Sequence, residues 1–193
     1  MVDAIQIKIG LDKTSPMIWR EILVPKDISF YKLHHVIQIV MGWTNSHLFE
    51  FVIEGYRVGE IYAKMEELDD AKVIDCKATK LIDLVNEPGE IFKYWYDFGD
   101  SWMHTVTIEK YISLDNSHQL PFCLGGELKC PPEDCGGIGG FYDFLSIISD
   151  KTHKEFKEMK EWVGGKFNPT EFDLIKVNKK LKNIDQYIKS IED

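Results

Sequence analysis

Ile5, Ile7, Ile9 and Leu11 alternate with polar or small neighbours, the period of two that gives a strand one buried face. After Lys13, Thr14, Ser15 and Pro16, residues 17–24 read as the returning strand of a hairpin. Pro25 ends it and Ser29 suits a helix N-cap. Phe30, Leu33, Val36, Ile37, Val40 and Met41 then recur at helical spacing until Gly42 supplies the stop. Residues 48–53 and 55–61 read as further strands, and residues 63–75, with Glu66, Glu67, Asp69 and Asp70, as an acidic loop. A short helical turn over 81–85 and a breaker at 86–89 precede two strands, 91–98 and 101–111, that form a central hairpin. The pattern predicts an α+β fold: a mostly antiparallel sheet opening β-β-α-β, with helices on one side.

From Phe141 onward the pattern is helical. Phe141, Phe144, Leu145 and Ile148 suit one helix, and Phe156, Met159, Trp162 and Val163 another that closes at Gly164 and Gly165. Asn168, Pro169 and Glu171 stand where an N-cap, a first-turn proline and a capping-box glutamate would open a long last helix. In that helix Leu174, Val177, Leu181, Ile184, Ile188 and Ile191 form one narrow apolar seam, which either docks on its own domain or serves a homo-oligomer. No linker-like composition break appears. The chain therefore reads as a single domain, 1–193, with 141–193 its helical C-terminal extension.

Charge narrows the function classes. A formal net charge of −9 repels a phosphate backbone, which argues against nucleic acid as a partner. No apolar run is long enough for a membrane span, and no basic-then-apolar leader opens the chain, so a cytoplasmic protein with no membrane partner is expected. The four cysteines are too few and too unevenly spaced for a disulfide framework.

The densest chemistry lies in residues 94–104, where Asp97, Asp100 and His104 stand among aromatic residues. Gly99 and Asp100 fit a two-residue type II′ turn with Phe98 pairing Ser101. That register sets Asp97 opposite Trp102 and Trp95 opposite His104, all on one face, with Tyr94, Tyr96, Phe98 and Met103 on the other. Asp97 and His104 become diagonal neighbours, and a carboxylate that orients an imidazole serves general bases and metal sites alike. The alternative is that the two merely satisfy each other inside an aromatic core. The triplet Asp97, Phe98, Gly99 also spells the kinase metal-binding motif, but the other kinase motifs are absent.

Residues 131–140 combine two prolines, the adjacent acids Glu133 and Asp134, and four glycines, and read as a shaped loop. Its glycine order is not that of a phosphate cradle. Cys123, Cys130 and Cys135 lack the spacing of a zinc cage, whereas His47, His104 and an acid, Glu133 or Asp134, offer the donors of a mixed divalent-metal site. His34 and His35 read as surface or boundary histidines.

The ordered motifs Pro16-Met17-Ile18-Trp19-Arg20, Met41-Gly42-Trp43 with His47, Tyr96-Asp97-Phe98-Gly99-Asp100-Ser101-Trp102 with His104, and Pro131-Pro132-Glu133-Asp134-Cys135-Gly136-Gly137 resemble the plasmid pRiA4b ORF-3-like family. That family is also met under a transposon-passenger label. The resemblance implies an α+β fold and an association with mobile genetic elements, and it carries no catalytic residues. Two functional readings follow. One is a binding module presenting Trp19, Trp43, Trp95, Trp102, Glu133 and Asp134 to a small molecule or a protein. The other is a hydrolase, metal-dependent or acid–base, built on Asp97 and His104.

Overall fold

The computed structural model describes residues 1–60, 73–115 and 117–192, so most of the acidic loop expected over 63–75 lies outside the described residues. The chain runs β1 (Val2–Leu11), β2 (Trp19–Pro25), α1 (Phe30–Met41), β3 (Phe49–Ile53), β4 (Tyr56–Gly59), β5 (Val73–Asp75), α2 (Leu81–Leu84), β6 (Ile91–Tyr96), β7 (Trp102–Leu114) and β8 (Phe122–Glu127). Four helices follow: α3 (Gly137–Ser149), α4 (Phe156–Trp162), α5 (Leu174–Leu181) and α6 (Ile184–Glu192). The fold is α+β.

One eight-stranded sheet, in the order β5-β4-β3-β6-β7-β1-β2-β8, organises the described residues. Every pair is antiparallel except β4 with β5. Alternation decides its faces. Ile5, Ile7, Ile9 and Leu11 of β1, Phe92, Tyr94 and Tyr96 of β6, and Trp102, His104, Val106 and Ile108 of β7 are all buried on one side. The other side carries Gln6, Lys8, Lys93 and Thr105 and stays half open to solvent.

Helix α1 lies on the buried face. Ser29 caps it by accepting from the Lys32 amide, and Gly42 ends it at φ 94°, a left-handed conformation that glycine adopts without a Cβ clash. It touches β2 and β4 on one side and α5 and α6 on the other. The sheet buries His34, which stacks on Phe49 of β3, and α6 covers His35, whose ring meets Tyr187, correcting their reading as boundary residues. The apolar stripe of α1 showed only the side turned to the sheet; the C-terminal helices cover the rest.

The single last helix expected from the 174–191 seam is instead two, α5 and α6, broken at Lys182 and Asn183. Asp173, rather than Asn168, caps α5 by accepting from the Lys176 amide. Asn168 folds back on Thr170, making a local turn in place of a helix start. From the seam, Leu181 and Ile184 are buried within this chain. Asn178 of α5 pairs with both the amide and the carbonyl of Cys123, so a side chain takes the place of a neighbouring strand at the outer edge of β8.

Candidate metal centre

Three loops meet at one end of the sheet: residues 42–48 after α1, residues 97–101 between β6 and β7, and residues 131–136 before α3. The first is held by a closed ring of hydrogen bonds. The Gln38 amide donates to the Tyr94 hydroxyl (3.0 Å), which meets His34 Nδ1 at 2.7 Å. His34 Nε2 meets Asn45 Oδ1 at 2.5 Å, and the Asn45 amide returns to Gln38 Oε1 at 3.0 Å. Since Asn45 Oδ1 can only accept, His34 carries its proton on Nε2 and accepts from Tyr94. Burial holds the His34 pKa well below the ordinary histidine value, keeping it neutral as the ring of bonds requires.

Tyr96 ties the first loop to the third. Its hydroxyl accepts from the Ser46 amide at 3.0 Å and donates to Glu133 Oε1. The other carboxylate oxygen, Oε2, accepts from the amide (3.1 Å) and the hydroxyl of Thr44. Burial, and then the Glu133 carboxylate, raises the Tyr96 pKa, so Tyr96 stays a proton donor. Trp43 adds a bond from its indole nitrogen to the Pro131 carbonyl at 3.0 Å.

The second loop departs from the two-residue turn. Tyr96 pairs with Trp102, Trp95 with Met103 and Tyr94 with His104, one position away from the expected register. Five residues make the turn, with Asp97 at φ 55° and Ser101 at φ 56°. Asp97 Oδ1 accepts from the amides of Gly99 (3.0 Å) and Asp100 (3.3 Å), and the Ser101 amide reaches the Asp97 carbonyl. That side-chain turn replaces the II′ turn and slips the register, which moves side chains between faces.

The expected pairing of Asp97 with His104 is therefore not present. His104 lies on the core face with Tyr94, Tyr96 and Trp102; its Nδ1 donates to the Tyr94 carbonyl at 3.2 Å, and its ring meets Trp43 and Tyr94. Burial pushes its pKa down to about 4. Its second nitrogen and the Trp102 indole nitrogen are both buried without a hydrogen-bond partner.

Asp97 faces His47 instead. His47 Nε2 stands 3.6 Å from Asp97 Oδ2 and 3.2 Å from Asp134 Oδ1. One ligand atom from each residue lies within 4.8 Å of the others. Donors bound about 2.1 Å from a shared cation stand about 3.0–3.5 Å apart, close to the two distances from His47. The direction of the nitrogen matters more. Nε2 is shielded from solvent and makes no hydrogen bond: Asp97 Oδ2, at 3.6 Å, is too far, and Asp134 Oδ1, at 3.2 Å, is within reach but off its bonding direction. The donor set, one imidazole and two carboxylates, suits zinc, manganese or iron(II). Asp97 and Asp134 both hold left-handed backbone, at φ 55° and 60°, a conformation whose strain gathers at functional sites.

Glycine sets the third loop against the second. The Gly136 amide donates to Asp100 Oδ2 at 3.1 Å. A Cβ on Gly137 would stand 2.6 Å from the Asp100 carbonyl oxygen, and one on Gly140 only 1.8 Å from that of Cys135. Beside His47 an open pocket of about 390 Å³ runs past Asn45, Leu48 and Glu60.

The residues named from sequence thus divide. His47, Asp97 and Asp134 converge; Glu133 has both oxygens occupied by Tyr96 and Thr44 and buttresses the loop; His104 belongs to the core. Of the tryptophans, Trp43 and Trp102 pack in the core. Trp95 sits on the opposite sheet face against Phe98, and Trp19 bonds Glu127 from β2, so the four indoles do not form one cleft. Sequence reasoning paired Asp97 with the wrong histidine. No local signal marks His47, because it reaches Asp97 only where two loops distant in sequence meet.

Fold and site together define an α+β domain in which one histidine and two aspartates, a candidate cation site, converge between loops at one end of a mostly antiparallel sheet. The model of the family described as "Plasmid pRiA4b ORF-3-like protein" matches residues 3–176, and the chain belongs to that family. It is 36% identical over 165 residues to the uncharacterized protein y4hQ of Sinorhizobium fredii, covering 85% of this chain and 82% of that one. The crystal structure of MM3350, a protein of unknown function from Methanosarcina mazei Go1, matches with a TM-score of 0.80 and 30% identity, over 90% of this chain and 97% of that one.

Proposed function

We propose that this chain is a metal-dependent binding domain in which His47, Asp97 and Asp134 hold one divalent cation and leave part of its coordination sphere to an oxygen-donor ligand. The observation that carries the reading is the shielded, unpartnered His47 Nε2 between two carboxylates. Three protein ligands are the number found where a metal keeps open positions for water or substrate. The partial exposure of His47 and the pocket beside it supply access. Each residue has a separate task. Asp97 is oriented by the Gly99 and Asp100 amides, which occupy Oδ1 and leave Oδ2 toward the site; Glu133 fixes the loop that carries Asp134; Asn45 fixes the loop that carries His47.

A second reading is metal-assisted hydrolysis, favoured by the same open side, since a bound cation lowers the pKa of its water. In that reading Asp97 and His104 are not an acid–base pair, because His104 faces the core.

The test is metal content by inductively coupled plasma mass spectrometry after saturation with zinc or manganese and desalting. About one ion per chain is expected, lost in His47→Ala and Asp97→Asn but retained in His104→Phe where that variant folds. A wild-type chain that retains no metal, and whose melting temperature no divalent cation raises, refutes the proposal.

A further inference from the structure

A second candidate site lies between the C-terminal end of α1 and the pair α5 and α6. There a groove of about 800 Å³ is lined by Trp43 just past the end of α1 and by Lys176, Lys179, Lys180, Asn183 and Tyr187 from the C-terminal helices and the break between them. That volume lies within the range of small-molecule sites.

The charge of this groove runs against that of the chain. Net charge is −9, yet residues 174–182 hold four lysines and no acid. Three of these lysines, at spacings of three and four on one helix, are neighbours that repel one another. Six described lysines stand within 4.0 Å of a carboxylate, among them Lys32 with Asp185, Lys93 with Asp12 and Lys129 with Glu171, and the others do not, so what sets this groove apart is the clustering of its cations on one helix. Among the described residues, Lys176, Lys179 and Lys180 have no carboxylate oxygen within 4.0 Å. The bland account, cations placed to suit a helix C-terminus, covers Lys179 and Lys180 in the last turn but not Lys176.

We infer that the groove binds a small organic phosphate, its anionic group set among the three ammonium groups and its organic part lying against Tyr187, over the floor where Trp43 borders the groove. Lysine meets phosphate as a point charge, and Asn183 adds an amide donor to the same wall. The inference does not rest on the metal centre. The groove nevertheless reaches Thr44, whose amide and hydroxyl hold Glu133, the residue before Asp134.

Isothermal titration of the full chain with glucose 6-phosphate, AMP, ATP and inorganic phosphate tests this. At least one organic phosphate is expected to bind saturably and more tightly than inorganic phosphate. Removal of two ammonium groups in Lys176→Ala/Lys180→Ala is expected to weaken that binding by about tenfold or more, with the melting temperature unchanged. His47→Ala and Asp97→Asn should bind as wild type, which separates this site from the metal centre. Three results overturn it: no binding of any organic phosphate, binding indifferent to the lysine pair, or a single-stranded oligonucleotide binding far more tightly than any mononucleotide.

Discussion

Arg20→Met is expected to destabilise the fold by on the order of 4 kcal/mol, since each buried carbonyl that loses its donor costs about 1–3 kcal/mol and the losses at adjacent groups are not additive. Arg20 is 1% exposed, and each of its five N–H groups has an acceptor. Nε donates to the Val40 carbonyl (2.8 Å), Nη1 to those of Trp19 (2.6 Å) and Glu127 (2.8 Å), and Nη2 to that of Leu128 (2.8 Å) and to Cys130 Sγ (3.5 Å). The guanidinium also lies 4.1 Å from the Phe172 ring centre. Among the described residues no carboxylate oxygen lies within 4.0 Å of Arg20; carbonyl dipoles, including that of Val40 in the last turn of α1, face the charge. Methionine keeps the apolar stem and supplies no donor. Lysine restores the charge but only one nitrogen, so Arg20→Lys should cost about half as much.

Urea unfolding followed by tryptophan fluorescence measures both variants. With a slope of about 2 kcal/mol/M, the midpoint of Arg20→Met should fall by about 2 M at unchanged slope. Because Leu128 and Cys130 lead directly into the loop of Asp134, any metal uptake by the proposed site should also drop in the variant that remains folded. An Arg20→Met midpoint within about 0.3 M of wild type would show that the carbonyl cluster is satisfied without the guanidinium, and the reasoning would fail.

Two further outcomes are expected. Gly140→Ala, whose Cβ would meet the Cys135 carbonyl at 1.8 Å, should lower the melting temperature by about 10 °C or prevent folding, whereas Gly139→Ala, with open space around it, should leave it unchanged or raised; equal effects would refute the close-approach argument. Stability should also fall as pH drops below about 6.5, because burial holds His104 and His35 near a pKa of 4 and His34 well below 6.5, so the unfolded chain binds protons that the native chain refuses. Each such histidine contributes up to about 1.4 kcal/mol per pH unit between those limits, and urea midpoints that stay flat from pH 7 to pH 5 would refute it.

Legibility tracked how local each determinant is. The period-two run in β1 and the apolar spacing, Ser29 cap and Gly42 stop of α1 depend on neighbours within a few residues, so the sequence showed them directly. The hairpin register was misread because two turn chemistries compete over residues 97–101, and the Asp97 carboxylate, by taking the amides of Gly99 and Asp100, favours the longer turn. The start of α5 was misplaced for a similar reason: Asn168 and Asp173 both suit a cap, and packing of α5 on β8 and α1 selects Asp173.

By itself, then, the sequence determined the α+β character, the family and the segments that hold the candidate chemistry, because periodicity, turn residues and motif order are properties of contiguous chain. Only the tertiary structure decided that His47, not His104, stands beside Asp97, that Asp134 rather than Glu133 completes the trio, and that an arginine within a family motif binds carbonyls in the core. Those choices depend on which loops meet at one end of the sheet, and a one-residue slip between two strands, invisible in the order of residues, is enough to exchange the members of a site.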